Sequence, residues 1–295
     1  MLTGSMVALV TPMSADGAVN YAELAGLINF HADAGTEALI VAGTTGESAT
    51  LDRDEHLQLL ARSCELAAGR IPIIAGTGSN STRQTLELSV EASRLPIAAL
   101  LIVTPYYNKP TQHGLVRHYT VIADAVDRPV LLYNVPGRTA VDLKPATVVE
   151  LARHPGIRGI KDATAEIDRV AALREGCGED FALLSGDDLS SREFMLAGGD
   201  GVISVTGNVA PAALRALCDA ARAGRRDEAA EIDTRLTGLH RELFIESNPI
   251  PVKWAVHMMG LIGPGIRLPL TELSAACWPA VRAAMEQAGV ACAAA

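Results

Sequence analysis

Aromatic side chains are scarce in this 295-residue chain: Phe, Trp and Tyr together make up 4%. A core of any size must therefore be built from Ala, Val, Leu and Ile, and the 49% hydrophobic content supplies them. Lysine is scarcer still, with Lys109, Lys144, Lys161 and Lys253 standing against twenty-one arginines. An excess of positive charge is missing as well. A formal net charge of −9 and a pI near 5.3 exclude a dedicated nucleic-acid binder, because neutralising phosphates needs a basic face. They leave room for a local pocket that takes small anions. The five cysteines (Cys64, Cys177, Cys218, Cys277, Cys292) are odd in number and scattered, with no C-x-x-C pair, so neither a disulfide framework nor a zinc site is indicated. The seven histidines lack ligand spacing: there is no H-E-x-x-H, and His113 and His118 fall off one helical face. No metal is expected.

Long apolar runs are also absent. None reaches the roughly 18 to 20 residues of a membrane span, and no basic segment precedes Met6-Val7-Ala8-Leu9-Val10 as an export signal would. The expectation is a soluble cytoplasmic protein, in which the sequon Asn80-Ser81-Thr82 is accidental. With 20% charged residues the chain does not read as disordered.

What is present is alternation. Short apolar runs recur at Met6–Val10, Ala38–Val41, Ile71–Ala75, Ala98–Val103, Val130–Tyr133, Ile157–Ile160, Phe181–Leu184 and Gly201–Val205. Several are continuous, as strands buried on both faces are. Between them, segments such as Tyr21–Gly35, Asp52–Ala68 and Ser81–Leu95 carry apolar residues at helical spacing. Asp52 followed by Glu55 predicts a capping box, and Thr82 predicts the start of the next helix. Eight strands alternating with helices predict a closed (β/α)8 TIM barrel. The rival is an open doubly wound sheet, but Gly76-Thr77-Gly78-Ser79-Asn80-Ser81 has serine where a dinucleotide fingerprint needs its third glycine. After Val205 the strands stop. Pro211–Gly224 can close the last barrel unit, and Glu228–Leu243, Pro249–Met259 and Leu273–Ala288 read as further helices. The expected division is a barrel over 1–224 and a C-terminal helical appendage over 225–295, ending in a frayed Ala-Cys-Ala-Ala-Ala.

Barrels assemble their chemistry at the carboxyl ends of strands. Lys161 follows Ile157-Arg158-Gly159-Ile160 there. A lysine held on a rigid element among apolar neighbours favours the neutral amine, the form that attacks a ketone. Position alone leaves a second reading open, a lysine paired with Asp162 or snorkelling at a strand end. The second strand runs into Ala42-Gly43-Thr44-Thr45-Gly46-Glu47-Ser48, whose hydroxyls and glycine-permitted turns can present N–H groups to a carboxylate, or can simply be a capped turn. The fifth runs into Tyr133-Asn134-Val135-Pro136-Gly137-Arg138-Thr139, which offers a phenol for proton relay and a guanidinium fork for a carboxylate. The paired tyrosines Tyr106 and Tyr107 follow the fourth and suit packing against another subunit.

These segments, with Pro105-Tyr106-Tyr107-Asn108-Lys109-Pro110-Thr111-Gln112, Gly159-Ile160-Lys161-Asp162-Ala163, Ser185-Gly186-Asp187-Asp188, Gly198-Gly199-Asp200-Gly201-Val202-Ile203-Ser204-Val205 and Asn248-Pro249-Ile250-Pro251-Val252-Lys253, resemble the dihydrodipicolinate synthases of the N-acetylneuraminate lyase superfamily. The resemblance covers nearly the whole chain. It implies that Lys161 forms an imine with pyruvate, that Thr44 and Thr45 hold the pyruvate carboxylate, and that both join Tyr133 in a proton relay. Tyr107 would complete that relay across a tight dimer interface. Arg138 would bind the carboxylate of L-aspartate 4-semialdehyde, and Gly186 and Ile203 would line the pocket through backbone groups. The implied product is 4-hydroxy-tetrahydrodipicolinate, on the way to diaminopimelate and lysine. No cofactor is needed, and the implied assembly is a homodimer or homotetramer.

Within the superfamily, sialic-acid lyases share the lysine, the tyrosine and the strand-two turn but not Pro-Gly-Arg-Thr, so Arg138 favours a small charged aldehyde over a sugar. A lyase for a sialic acid or a 2-keto-3-deoxy sugar acid is the alternative, and a non-catalytic keto-acid sensor a more distant one. The family's lysine-inhibition site is matched by Ser48, Ala49, His56, Asn80 and Tyr106. Arg53 stands where histidine is common, and Gln84 where glutamate is. Gln84 removes a negative charge that would pair with lysine's ammonium, so weak or absent inhibition is expected.

Overall fold

Each of the eight apolar runs becomes a short parallel strand paired with the next in sequence, and the eighth returns to pair with the first. The structure, a computed structural model, describes residues 2–293. The strands are β1 (Gly4–Ala8), β2 (Ala38–Val41), β3 (Ile73–Gly76), β4 (Ala99–Val103), β5 (Val130–Asn134), β6 (Ile157–Asp162), β7 (Ala182–Ser185) and β8 (Gly201–Ser204). Helices lie between them, so the fold is the expected (β/α)8 barrel.

Period-two alternation explains why the runs are apolar throughout. Met6, Ala8, Ala38, Ile40, Ala99, Leu101, Leu131, Ala182, Leu184 and Ile203 point into the barrel and form one cluster. Their neighbours Val7, Leu39, Val41, Leu100, Leu132, Leu183 and Val202 point outward into a second cluster shared with the helices. Alanine supplies much of the interior, and Tyr133 is the one aromatic ring in that inner cluster. The scarcity of aromatics in the composition is thus met by a barrel interior built mainly from Ile, Leu, Met and Ala.

Helix starts follow the side chains that can satisfy open N–H groups. Asn20 Oδ1 accepts from the amides of Ala22 and Glu23 at 3.1 and 3.2 Å. Ser81 Oγ accepts from the Gln84 amide, and Thr82 is the first helical residue. Asp52 accepts from the Glu55 amide at 2.9 Å, but the expected reciprocal half of the capping box does not form. Glu55 instead binds Arg267 Nη1 and Nη2 at 2.6 and 2.5 Å, because a guanidinium fork outcompetes a single amide.

Beyond β8, helix Pro211–Arg222 packs on β1 and closes the last unit. Helices Arg226–Glu242, Ile250–Met258 and Trp278–Gln287 follow. Their buried faces, among them Ile232, Leu236, Val252, Val256 and Met285, belong to the same outer cluster as the barrel's helices. Of the tail expected to fray, Cys292 packs partly buried against the core, and the Ala293 amide donates to Met258 O at 2.7 Å. The rest of that segment, residues 294–295, lies outside the described residues. No described helix is long and apolar enough to cross a membrane.

Candidate active site

Lys161 occupies an inward place on β6, where the alternation would put an apolar side chain. Its Cα registers with Tyr133 on β5 and Leu184 on β7, and only 5% of the residue is exposed. Nζ lies 4.3 Å from the centre of the Tyr133 ring. Asp162 does not pair with it. Being next along the strand, Asp162 points the other way, accepts from the Thr164 amide at 2.8 Å and sits 3.9 Å from Arg169 Nη1. Burial raises the Asp162 carboxyl's pKa, with the Thr164 contacts and Arg169 opposing. The second reading of Lys161, an ion pair with its neighbour, is therefore ruled out.

Gly186 stands over this amine for a steric reason that the sequence did not disclose. A Cβ there would lie 2.9 Å from Lys161 Cε and 2.8 Å from Ala163 Cβ. Its amide donates to Asp162 O at 2.7 Å, which fixes the loop after β7 against β6. Ile203 points inward on β8 and is buried. Lys161, Tyr133, Gly186 and Ile203 thus share the carboxyl-end interior.

The turn after β2 leaves two adjacent amides open. The amides of Gly46, Glu47 and Ser48 are satisfied within it by the carbonyls of Gly43 and Thr44. Those of Thr44 and Thr45 have no acceptor among the described residues, which leaves adjacent donors for a carboxylate. The left-handed residues of the turn are Ala42 (φ 54°) and Glu47 (φ 58°), not the glycines. Gly46 serves close approach instead: a Cβ would meet Leu9 O at 3.1 Å and Ala42 N at 3.2 Å.

Asn248 joins this turn to the arginine. Its Nδ2 donates to Thr45 Oγ1 at 3.0 Å, and its carbonyl accepts from Arg138 Nη2 at 3.2 Å. Arg138 lies in the short helix Pro136–Thr139 after β5, is exposed, and bonds no carboxylate among the described residues. The Asn248 segment carries part of the family resemblance, but nothing in the sequence around it gives Asn248 a role. The contact spans 203 residues, so no local pattern could reveal it. Asp188 was missed likewise. It is buried, accepts from Ser204 Oγ and from the amides of Val205 and Thr206 at 2.9 and 3.0 Å, and so ties the loop after β7 to the end of β8.

A cavity of about 700 Å³ opens at this end of the barrel. Thr44, Val135 and Arg138 line it together with Ser48, Ala49, His56, Gln84 and Tyr106. Lys161 and Tyr133 are not among the residues lining this cavity; Val135, which follows β5, lines it and also packs against the inner cluster that holds Tyr133. Asn80 is not part of the lining, and its carbonyl is taken by Asn108 Nδ2 at 2.8 Å. His56 is buried with Nε2 2.8 Å from Gly76 O, and burial lowers its pKa. Arg53 also lines the cavity, with its guanidinium paired to Glu91. Tyr107 is not brought to the amine within one chain: it is 87% exposed, with φ at 73°.

The comparisons with known proteins agree with this fold. Residues 1–288 match the profile of the dihydrodipicolinate synthetase family. A 4-hydroxy-tetrahydrodipicolinate synthase of Methylococcus capsulatus is 58% identical over 290 residues, covering 98% of this chain and 100% of that protein. One from Shewanella sp. (strain ANA-3) is 55% identical over 291 residues, covering 98% and 99%. The crystal structure of the chloride-inhibited dihydrodipicolinate synthase from Acinetobacter baumannii, complexed with pyruvate, superposes with a TM-score of 0.97 at 50% identity and covers 99% of this chain and 100% of that one. A barrel carrying a buried lysine beside a tyrosine, matched end to end at this identity, belongs to the dihydrodipicolinate synthetase family.

Proposed function

We propose that this chain is a 4-hydroxy-tetrahydrodipicolinate synthase, which condenses pyruvate with L-aspartate 4-semialdehyde through a Schiff base on Lys161. The single observation that carries the reading is a lysine amine inside the barrel, against Tyr133 and without a carboxylate partner among the described residues. End-to-end identity to relatives of that name supports it.

The neutral Lys161 amine attacks the ketone carbon of pyruvate, and loss of water leaves an imine. Thr44 and Thr45 hold the pyruvate carboxylate through their open amides and hydroxyls. The imine acidifies the adjacent methyl group, and loss of one proton gives an enamine. Tyr133, with its ring over the amine, relays these protons together with Thr44. Arg138 binds the carboxylate of the semialdehyde, placing its aldehyde carbon for attack by the enamine carbon. The new carbon–carbon bond leaves an alkoxide that takes up a proton. The substrate's own amine then attacks the imine carbon, expelling Lys161 as a free amine and closing the ring. Two substrates give 4-hydroxy-tetrahydrodipicolinate and one water, with no oxidation and no cofactor. Gly186 and Ile203 form the wall and offer backbone groups to the bound chain.

The working unit is a homodimer or homotetramer in the cytoplasm, in which Tyr107 reaches a second copy's relay. Its exposure and its positive φ support that placement: such backbone strain persists where the surroundings repay it. Borohydride reduction with pyruvate, followed by peptide mapping, tests the reading. The adduct should fall on Lys161 alone. An adduct on Lys253, the other buried lysine, or no adduct at all, would refute it.

A further inference from the structure

Glu47 is the residue of the strand-two turn that the chemistry above leaves idle. It holds a left-handed conformation (φ 58°) with no glycine to ease it, and its carboxylate is fully buried. Two groups from the distant C-terminal region meet that carboxylate. Lys253 Nζ pairs with Oε1, and the Arg267 amide donates to Oε2 at 3.0 Å. Lys253 is itself buried, on helix Ile250–Met258, five residues after the Asn248 that holds Thr45. Burial pulls the Lys253 ammonium below the usual lysine range, and Glu47 pushes it back up. Arg267 then spans outward, donating to Gly17 O and Thr50 O at 2.8 Å and to Glu55. The turn is therefore gripped from outside the barrel by a segment more than 200 residues away.

A buried ion pair is weak evidence of stability, since desolvating both charges offsets their attraction. What it does provide is a fixed geometry, because either charge without the other is expensive to bury. Strained residues likewise persist only where surrounding contacts over-determine them. The buried pair and the left-handed backbone of Glu47 together fix the two residues before it, Thr45 and Gly46, and with them the open amides of Thr44 and Thr45.

We propose that Glu47 and Lys253 are positioning residues for the keto-acid carboxylate, a buried pair through which the C-terminal helices hold the Thr44–Thr45 cradle in register with Lys161. Neither side chain touches substrate. The proposal rests on the reading of Thr44 and Thr45 as the carboxylate cradle.

Steady-state kinetics of the full enzyme with Lys253→Met and with the double variant Glu47→Gln/Lys253→Met test it, with Thr44→Val as reference. In the folded Lys253→Met enzyme the pyruvate KM should rise roughly tenfold, since small displacements of a binding group carry large kinetic penalties. The semialdehyde KM should stay within about twofold, because Arg138 is held by Asn248 and not by this pair. Where Lys253→Met does not fold, the double variant, neutral on both sides, should show the same split. An unchanged pyruvate KM would overturn the proposal. So would a loss of activity that follows the folded fraction with both KM values unmoved, as a purely structural pair would give. Should Thr44→Val, which keeps the amide and removes the hydroxyl, leave the pyruvate KM unchanged, the reading of the Thr44 hydroxyl as part of the cradle fails. A raised KM in Thr44→Val but not in the Lys253 variants defeats the pair alone.

Discussion

A methyl group added at position 186 would stand 2.9 Å from Lys161 Cε and 3.0 Å from its Cγ, closer than real Cβ atoms come. The lysine stem must then shift from its place over the Tyr133 ring, and the added methyl would also meet Ala163 Cβ at 2.8 Å. Gly186→Ala should therefore cost a modest 1 to 3 kcal/mol of stability, roughly the usual overpacking penalty. On the proposed Schiff-base role of Lys161, the variant's turnover should fall by about two orders of magnitude, through misplacement of that nitrogen. Thermal unfolding beside kcat checks this: a variant with full activity would show that the stem has room. At this scale the sequence revealed the kind of residue and not its reason. Lys161 stood out as one of four lysines, whereas the steric role of Gly186 needs the loop after β7 to come back over β6.

The helix Thr82–Ala92 and the helix Arg53–Ala67 present Gln84 and Arg53 to the cavity shared with Ser48, His56 and Tyr106. Gln84 Oε1 accepts from Ser79 Oγ at 3.1 Å, and Arg53 is occupied by Glu91, so neither offers a negative charge to an incoming ammonium. Lysine should inhibit weakly or not at all. Gln84→Glu should tighten inhibition by only about fivefold or less, since Gln84 is exposed and pairs of that kind contribute up to roughly 1 kcal/mol. Steady-state inhibition of both proteins checks this, and a submicromolar inhibition constant for the unaltered chain would overturn it. Strand and helix existence were legible at this scale because period-two and helical patterns are local. Boundaries moved by one or two residues, as at β3, which begins at Ile73 and not Ile71 because Pro72 has no amide to give a ladder. The half-formed box at Asp52 was not legible, because Arg267 is the rival for Glu55 and lies 212 residues away.

Across the whole molecule, folding buries His31 and His118 without room for charge. Burial lowers each to about 4 from 6.5, and the Nε2 of each has no hydrogen-bond partner in the described structure. The sign follows from proton counting. Between pH 6.5 and 4 the unfolded chain takes up protons that the folded chain refuses, so stability is complete above 6.5 and falls as pH drops through that window. Each histidine accounts for a loss of about 3 kcal/mol by pH 4. Urea midpoints at pH 7 and pH 4.5 should differ less in His118→Asn, which keeps a polar atom for Thr82 Oγ1, the partner of Nδ1 at 2.9 Å. Parallel pH dependence in the two proteins would show that His118 does not carry this cost.

By itself the sequence determined the alternation of strands and helices and the closure it implies, and it singled out Lys161, Tyr133 and Arg138 as candidates at strand ends. These signals are local, set by side-chain period and by residue types at strand ends. Only the tertiary structure decided which partners those residues meet. It turned Asp162 away from Lys161, placed Gly186 over the lysine, and used Asn248, Lys253 and Arg267 to hold a turn some 200 residues earlier. Contacts of that span arise when the chain closes on itself, and no window of sequence contains both sides of them.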